Sequence, residues 1–508
     1  MSELLQEFQS LLSRLPSSGA GGAEVLLTVM EPDKAEQLRL CAIPHEFSPE
    51  VLQVLVPGTA REQAEARCRE FSELSAVSVA DGELSLHRTV RSEIFSQWLQ
   101  PDRYARFTEV SERLARYFET DSFPPAEERL HRFMFHRLGA DLPRGFAEFE
   151  KLCRAARRES RWSACASLIA LVHEYDVILS PELAAWLTYH EGKLASDLRD
   201  FEQAENLFGN LIKNPTISPE LRAKALLRQG FIFCARRDFE RSIELYRTAL
   251  QIVESFGKTG LKPYEVLSSI GEAYRDSGEL LEAEGLLTQS LAGAEAAGDL
   301  SAIANAHNAL GALYLRRREG GVAAVQFEKS LACLEQLGDR FRVPQVYNNL
   351  GMVQAELGNW GEADRYYQLS LEGKRQAGDT RGQATTLLNR VRVLRRRNDL
   401  AQAIDSGLQA RALFAEIRDA YGQAEAERTL GKTYLAMDDR EAAREAFNRA
   451  AALFESCHAG EKASEVQKEL EQLGRKVGLP WWAWLSLVLG LGLVLLFLLI
   501  FIIAVLEN

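Results

Sequence analysis

Three groups of side chains in this sequence have the types that chemistry uses, and none has the spacing. PSSGAGGAEVLL (16–27) sets glycines before an apolar run, as a phosphate loop does, but it lacks the Lys and hydroxyl that would hold phosphates and Mg²⁺. It reads as a flexible link. The eight histidines are dispersed, and the closest pair, His131 and His136 in HRFMFH, stands five apart and off a single helical face, so no metal site is expected. Seven cysteines (Cys41, Cys68, Cys153, Cys165, Cys234, Cys333, Cys457) are scattered, odd in number and never spaced as CxxC, which fits free, mostly buried thiols in a reducing cytosol. Neither a G-x-S-x-G nucleophile nor an H-E-x-x-H pair occurs. The expectation is therefore no enzyme, no catalytic residue and no cofactor.

With chemistry set aside, the elements must explain the chain. SSIGEAYRDSGELLEAEGLLTQSL (268–291), NALGALYLRRREGGVAAVQFEKSL (308–331), NNLGMVQAELGNWGEADRYYQLSL (348–371), LNRVRVLRRRNDLAQAIDSGLQAR (388–411) and RTLGKTYLAMDDREAAREAFNRAA (428–451) align at a spacing of forty without a slip. Gly271, Gly311, Gly351, Val391 and Gly431 share one column, and Ala283, Ala323, Ala363, Ala403 and Ala443 another; Leu287, Phe327, Tyr367 and Phe447 form a third, where Gly407 is the exception. A small residue where helices cross lets the backbones approach, and a bulky one fills the remaining gap. Gly298, Gly338 and Gly378, each followed by Asp, end one helix in the left-handed conformation and cap the next. Copies at 226–250 and 187–208 bring the array to seven helix pairs over 182–459. The sixth copy, with Val391, Leu394 and Gly407 off pattern, is expected to pack most loosely.

Gly271, Tyr274 and Ala283 in one copy, and Gly431, Tyr434, Ala443 and Phe447 in another, resemble the tetratricopeptide repeat (TPR) motif, here in a forty-residue, long-helix form. The resemblance implies a mainly α, α-α superhelix (solenoid) whose concave groove, lined by the first helix of each pair, holds a protein or peptide. It places groove residues at Asn305, Asn308 and Arg316, then Gln345 and Asn348, then Arg392, Arg395 and Arg396, then Arg428 and Lys432. The asparagines suit the main chain of an extended ligand, and the basic set suits an acidic partner. A separate helper ATPase is a second expected partner.

Residues 36–118 have another texture. Ser48 and Pro49 open a short helix, AREQAEARCREFSEL continues as a third, and SAVSVADGELSLH alternates around an Ala-Asp-Gly turn as a β-hairpin does. This order, with LCAIPHEFSPEVLQVL and LSLHRTVRSEIFSQWL, resembles the winged-helix module of STAND-class signalling NTPases, implying a small α+β domain without its NTPase. The candidate recognition helix carries three Arg against four Glu, and the whole chain has a net charge of −12, so no nucleic-acid partner is expected.

Leu485 to Val505 carry no charge and as a helix would cover about 32 Å, near the thickness of a bilayer core. Trp481, Trp482 and Trp484 stand where an interfacial belt would, and Arg475 and Lys476 precede them. The sequence thus predicts a single transmembrane helix as a C-terminal tail anchor, with the bulk of the chain cytoplasmic and a bacterial inner membrane favoured by composition. The predicted order is an amphipathic helix and link (1–35), a winged-helix-like domain (36–118), a helical bridge (119–181), seven repeats (182–459), a capping helix with a basic flank (460–478) and the anchor (479–506). The function expected is a membrane-anchored scaffold or adaptor. A STAND-derived signalling or stress-response regulator and a membrane-biogenesis or organelle-dynamics factor are the alternatives.

Overall fold

The computed structural model describes residues 22–119, 126–257, 260–457 and 459–474. Two compact units divide the chain: the first runs to Arg317 and includes Glu328–Leu337, and the second holds Arg318–Phe327 and the chain from Gly338.

The first unit opens with α1 (Gly22–Val29), α2 (Pro32–Cys41), α3 (Pro49–Leu55) and α4 (Arg61–Ser72), then β1 (Val77–Ala80) and β2 (Glu83–Leu86), then α5 (Arg88–Trp98) and α6 (Pro101–Glu119). The link expected at 16–27 is in part α1: Ala23, Leu26 and Leu27 are buried, and the Ala23 N–H donates to Glu93 Oε2 at 3.3 Å. Its glycines are outweighed by an apolar face with a place to go. Ser48 caps α3 through its side chain, and Pro49 takes the first helical position. The strands pair antiparallel with Val77 opposite Leu86 and Ala80 opposite Glu83. Asp81 (φ 50°) and Gly82 (φ 85°) form the two-residue turn between them, the left-handed pair that such a hairpin requires.

Three more helices, α7 (Ala126–Ala140), α8 (Leu142–Arg158) and α9 (Trp162–His173), join the same core. Buried apolar residues from Ala23 to Leu187 make one cluster, so the front and the bridge are packed as a piece. Two of its large polar side chains are bonded to main chain: Trp98 Nε1 donates to Arg39 O (2.8 Å) and Tyr175 OH to Phe135 O (2.7 Å).

The array follows as α10 (Pro181–Asp197), α11 (Phe201–Lys213), α12 (Pro219–Ala235), α13 (Phe239–Phe256), α14 (Pro263–Ser277), α15 (Leu280–Ala297) and α16 (Leu300–Arg316). Next come α17 (Gly320–Gln336), α18 (Val343–Glu356), α19 (Trp360–Gln376), α20 (Thr380–Arg396), α21 (Leu400–Glu416), α22 (Ala420–Ala436), α23 (Arg440–Ser456) and α24 (Gly460–Gly474). Asp299, Asp379 and Asp419 cap first helices by accepting from the N–H groups of Ala302, Gly382 and Gly422. A β-carbon at Gly351 would stand 2.7 Å from the Tyr367 ring, and one at Gly431 2.7 Å from Phe447, so these columns are small because an aromatic already fills the space. The sixth pair does not show the expected looseness. Val391, Leu394 and Ala403 are fully buried together, and Leu430 of α22 covers Gly407, its side chain 2.6 Å from where a β-carbon would be.

The expected tail anchor needs correction. Among the described residues no helix is long and apolar enough to cross a membrane. The longest of them, α6, illustrates why: it buries one stripe through Phe107, Val110, Leu114 and Phe118 while carrying Arg103, Arg106, Arg113 and Arg116 elsewhere on its surface. The stretch 479–506, with Trp481, Trp482 and Trp484, lies outside the described residues, as do 1–21.

Candidate functional site

Helix α20 carries a run of arginines that its own neighbours sort into two groups. Arg390 and Arg397 both reach Asp364 of α19, at 2.6 and 3.3 Å, and share its one carboxylate. Arg392, Arg395 and Arg396 stand at the spacing that puts side chains on one helical face. None of the three pairs with a carboxylate among the described residues. Arg392 and Arg396 are exposed and Arg395 is half-buried. Burial, then the charges of Arg396 and Arg392, push the Arg395 pKa down. Like charges crowded without a counter-ion are the electrostatic preparation for an anion.

Arg392 is also held in place. Its Nη2 donates to Asn389 Oδ1 at 2.7 Å, and Asn389 Nδ2 donates in turn to Asn348 Oδ1 at 3.0 Å. Asn348 is buried in α18, so its carbonyl is committed to this relay. Through Asn389 it is linked to Arg392. Asn389 escaped the sequence reading because it stands one residue past the column shared by Asn308 and Asn348; the spacing of forty-one between bonded partners was the available sign. Gln345 is exposed on α18.

The basic end of the predicted groove is occupied. Arg428 on α22 holds Glu465 and Glu469 of α24 at 2.9 and 2.8 Å, and Lys432 holds Glu469 at 3.0 Å. Burial alone would raise the Glu469 carboxyl, but its bonds to Arg428 and Lys432 outweigh it and hold the pKa low. These two cations are spent on the capping helix. In the first unit, Asn305 is exposed and Asn308 half-buried on α16, each with polar contacts of its own, and Arg316 Nη2 donates to Asp276 O at 3.3 Å. The residues brought together in the second unit are thus Asn348, Asn389, Arg392, Arg395 and Arg396.

A further cluster was not legible in the sequence. Glu46, Glu83 and Glu128 place carboxylate oxygens within 4.8 Å of one another, and each accepts from Arg132 at 2.6 Å. The cation they hold is a guanidinium. It ties the segment before α3, the strand β2 and the helix α7 together.

Comparison with known proteins then bears on the array. Residues 221–296, 302–376, 342–416 and 382–456 match the family model of the tetratricopeptide repeat. No curated protein matches the chain by sequence. A Rap protein complexed with competence and sporulation factor superposes with a TM-score of 0.44 at 13% identity, over 65% of this chain and 96% of that one. The STAND protein PH0952 from Pyrococcus horikoshii, which has a tetratricopeptide repeat sensor, gives 0.47 at 14% identity over 88% of this chain, which spans 64% of its length. The apo quorum sensor NprR from B. thuringiensis gives 0.39 at 14% identity, over 65% and 98%. The helix pairs from α12 to α23 are therefore tetratricopeptide repeats.

Proposed function

We propose that this protein is a non-enzymatic binding scaffold whose second unit takes an acidic segment of a protein partner on the α20 face. The observation that carries the reading is the triad Arg392, Arg395 and Arg396, crowded on one face without a carboxylate while Arg390 and Arg397 beside them are paired. Guanidinium groups make charge-assisted, bidentate bonds to carboxylates, and the Asn348–Asn389 relay fixes one of the three before a ligand arrives. Helix α24 supplies an internal precedent, since two of its glutamates already satisfy the next first helix in this manner.

The test is fluorescence anisotropy with a labelled acidic peptide, comparing the wild-type chain with Arg392→Glu/Arg395→Glu/Arg396→Glu. The triple variant is expected to lose affinity by about a hundredfold, two or three charge-assisted bonds at roughly 1–1.5 kcal/mol each. Equal affinity in the two proteins, with the helical circular dichroism unchanged, would reject the face. A second reading, a signalling regulator related to STAND proteins, draws on the order of α2, α3, α4 and the β1–β2 hairpin ahead of the repeats. It predicts that partner binding alters protease access within 119–181.

A further inference from the structure

The small sheet of the first unit is covered along one edge and open along the other. On the covered edge, beyond β2, the Phe47 N–H donates to Leu84 O at 2.8 Å and the Leu84 N–H to Phe47 O at 2.9 Å. Opposite residues of an antiparallel pair alternate between bonding each other and turning their main-chain groups outward. The His87 N–H donates to Ala76 O at 2.8 Å, so Ser78–Ser85 and Ala80–Glu83 are the mutually bonded pairs of the register. Val77 and Val79 therefore turn their main chain away from β2, as Leu84, opposite Val79, turns its own toward Phe47. Leu74 O takes the Val77 N–H at 3.0 Å. The Val77 carbonyl and both groups of Val79 have no partner among the described residues, and no strand there pairs with β1 on that side. Proteins commonly protect such an edge with a charge, a proline or a bulge. The strand VSVA has none of these: its register runs unbroken, and Ser78, Val79 and Ala80 are exposed, Val79 to 55%.

We infer that the open edge of β1 takes an extended, basic segment of a protein partner as a third strand. The Val77 carbonyl, the Val79 N–H and the Val79 carbonyl stand in the order that an added antiparallel chain complements with its own main chain. Charge selects the occupant. Exposed carboxylates with no cation bonded to them among the described residues stand at both ends of the edge, Glu73 before β1 and Asp81 after it. Beside Ala80 a cleft of about 270 Å³ opens at the hairpin tip, where the carboxylates of Glu46, Asp81, Glu83 and Glu128 outnumber the guanidiniums of Arg129 and Arg132. Ala80 presents only a methyl group, so a lysine or arginine of the added strand can lie across it with its charge at that cleft. A second copy of this chain fits less well. Pairing β1 with itself sets the acidic end of each edge toward the acidic start of the other, in two chains that each carry a net charge of −12. This surface is separate from the α20 face and takes the opposite charge.

The experiment is hydrogen exchange of the full chain at pH 7, resolved to single amides of the hairpin by fragmentation in the mass spectrometer, with and without the peptide acetyl-Lys-Val-Thr-Val-Lys-amide. In the free chain the Val79 amide is expected to exchange like an unprotected one while the Ser78 and Leu84 amides are slowed. With about nine-tenths of the chain occupied by peptide, the Val79 amide should slow about tenfold. The counterpart with both lysines replaced by glutamate should bind roughly tenfold more weakly or worse, two exposed ion pairs being lost. N-methylation of both peptide valines, whose N–H groups face β1, should abolish the protection, and N-methylation of the threonine, which faces away, should leave it. Val79→Pro removes the outward N–H and spares the β1–β2 ladder, so it should lose the peptide, whereas Val79→Thr keeps the main-chain groups and should bind within about two-fold of wild type. Three results would each overturn the inference. A Val79 amide already slow in the free chain would mean that the edge is covered. Slowing that grows with protein concentration in the absence of peptide would give the edge to a second copy. Peptide binding that leaves Val79 unchanged, or that survives methylation of both valines, would place the contact elsewhere.

Discussion

Lys374 shows at the scale of one residue how much this fold tolerates. It is 4% exposed on α19, and its Nζ donates to Thr386 Oγ1 at 2.7 Å and Gly382 O at 3.2 Å, with no carboxylate bonded to it among the described residues. Burial pushes its pKa down to about 8. A lysine whose folded pKa lies below its unfolded value costs stability while both forms are charged, about 3 kcal/mol at pH 7 for this shift. Between about pH 8 and the ordinary lysine value the unfolded chain holds a proton that the folded chain has released, so stability rises with pH across that window. Lys374→Met is expected to stabilise the protein by about 1–2 kcal/mol at pH 7, the two lost hydrogen bonds offsetting part of the gain. The difference should fall by about 3 kcal/mol toward pH 10.5 and change sign on the way, because the cost of the buried charge disappears while the two lost hydrogen bonds remain. Urea unfolding at pH 7 and pH 10 measures it, and a variant that loses stability at pH 7 would show that the ammonium is better solvated than its burial indicates. Nothing in the sequence marks Lys374, because a lysine in a helix of mixed polarity reads as solvated surface; only the packing of α19 on α20 encloses it.

At the scale of elements, legibility followed the locality of the physics. The helix pairs, their caps and the glycine columns were readable because period, capping oxygen and backbone conformation are properties of neighbouring residues. The hairpin was readable from Asp81 and Gly82 for the same reason. What failed was placement across elements: α1 was mistaken for a link, the bond from Asn389 to Asn348 was not foreseen, and the trio around Arg132 was missed because Glu46, Glu83 and Glu128 are far apart in sequence. That trio yields its own prediction. Arg132→Gln leaves three carboxylates facing one another without their cation, and because they are partly exposed the cost at pH 7 should be about 2 kcal/mol, below the full penalty of a buried charge. The bond from Arg132 holds the Glu83 carboxyl below its ordinary value, so its contribution in the wild type is present at neutral pH and fades as pH falls through that lowered value. Crowded carboxylates in the variant take up protons earlier, which relieves it. The two proteins should therefore converge in stability as pH is lowered from 7 to 4, and a gap that stays constant over that range would mean that Arg132 acts by packing alone.

For the whole molecule the governing quantity is charge, and it opposes the local site. A chain with net charge −12 repels an acidic peptide at distances beyond the three arginines, whereas within a few ångströms Arg392, Arg395 and Arg396 dominate. Salt acts differently on the two ranges. Long-range repulsion slows encounter and is screened first, so the association rate should rise modestly as salt goes from about 20 to 150 mM, where the Debye length falls to roughly 8 Å. The charge-assisted bonds formed on docking weaken over the same range, so dissociation should accelerate by a larger factor and net affinity should fall. Stopped-flow binding of the labelled acidic peptide separates the two rates. An association rate that falls steeply with salt would show a cationic surface far wider than the α20 face steering the ligand, and the assignment of binding to that face would fail at the scale where it is most exposed.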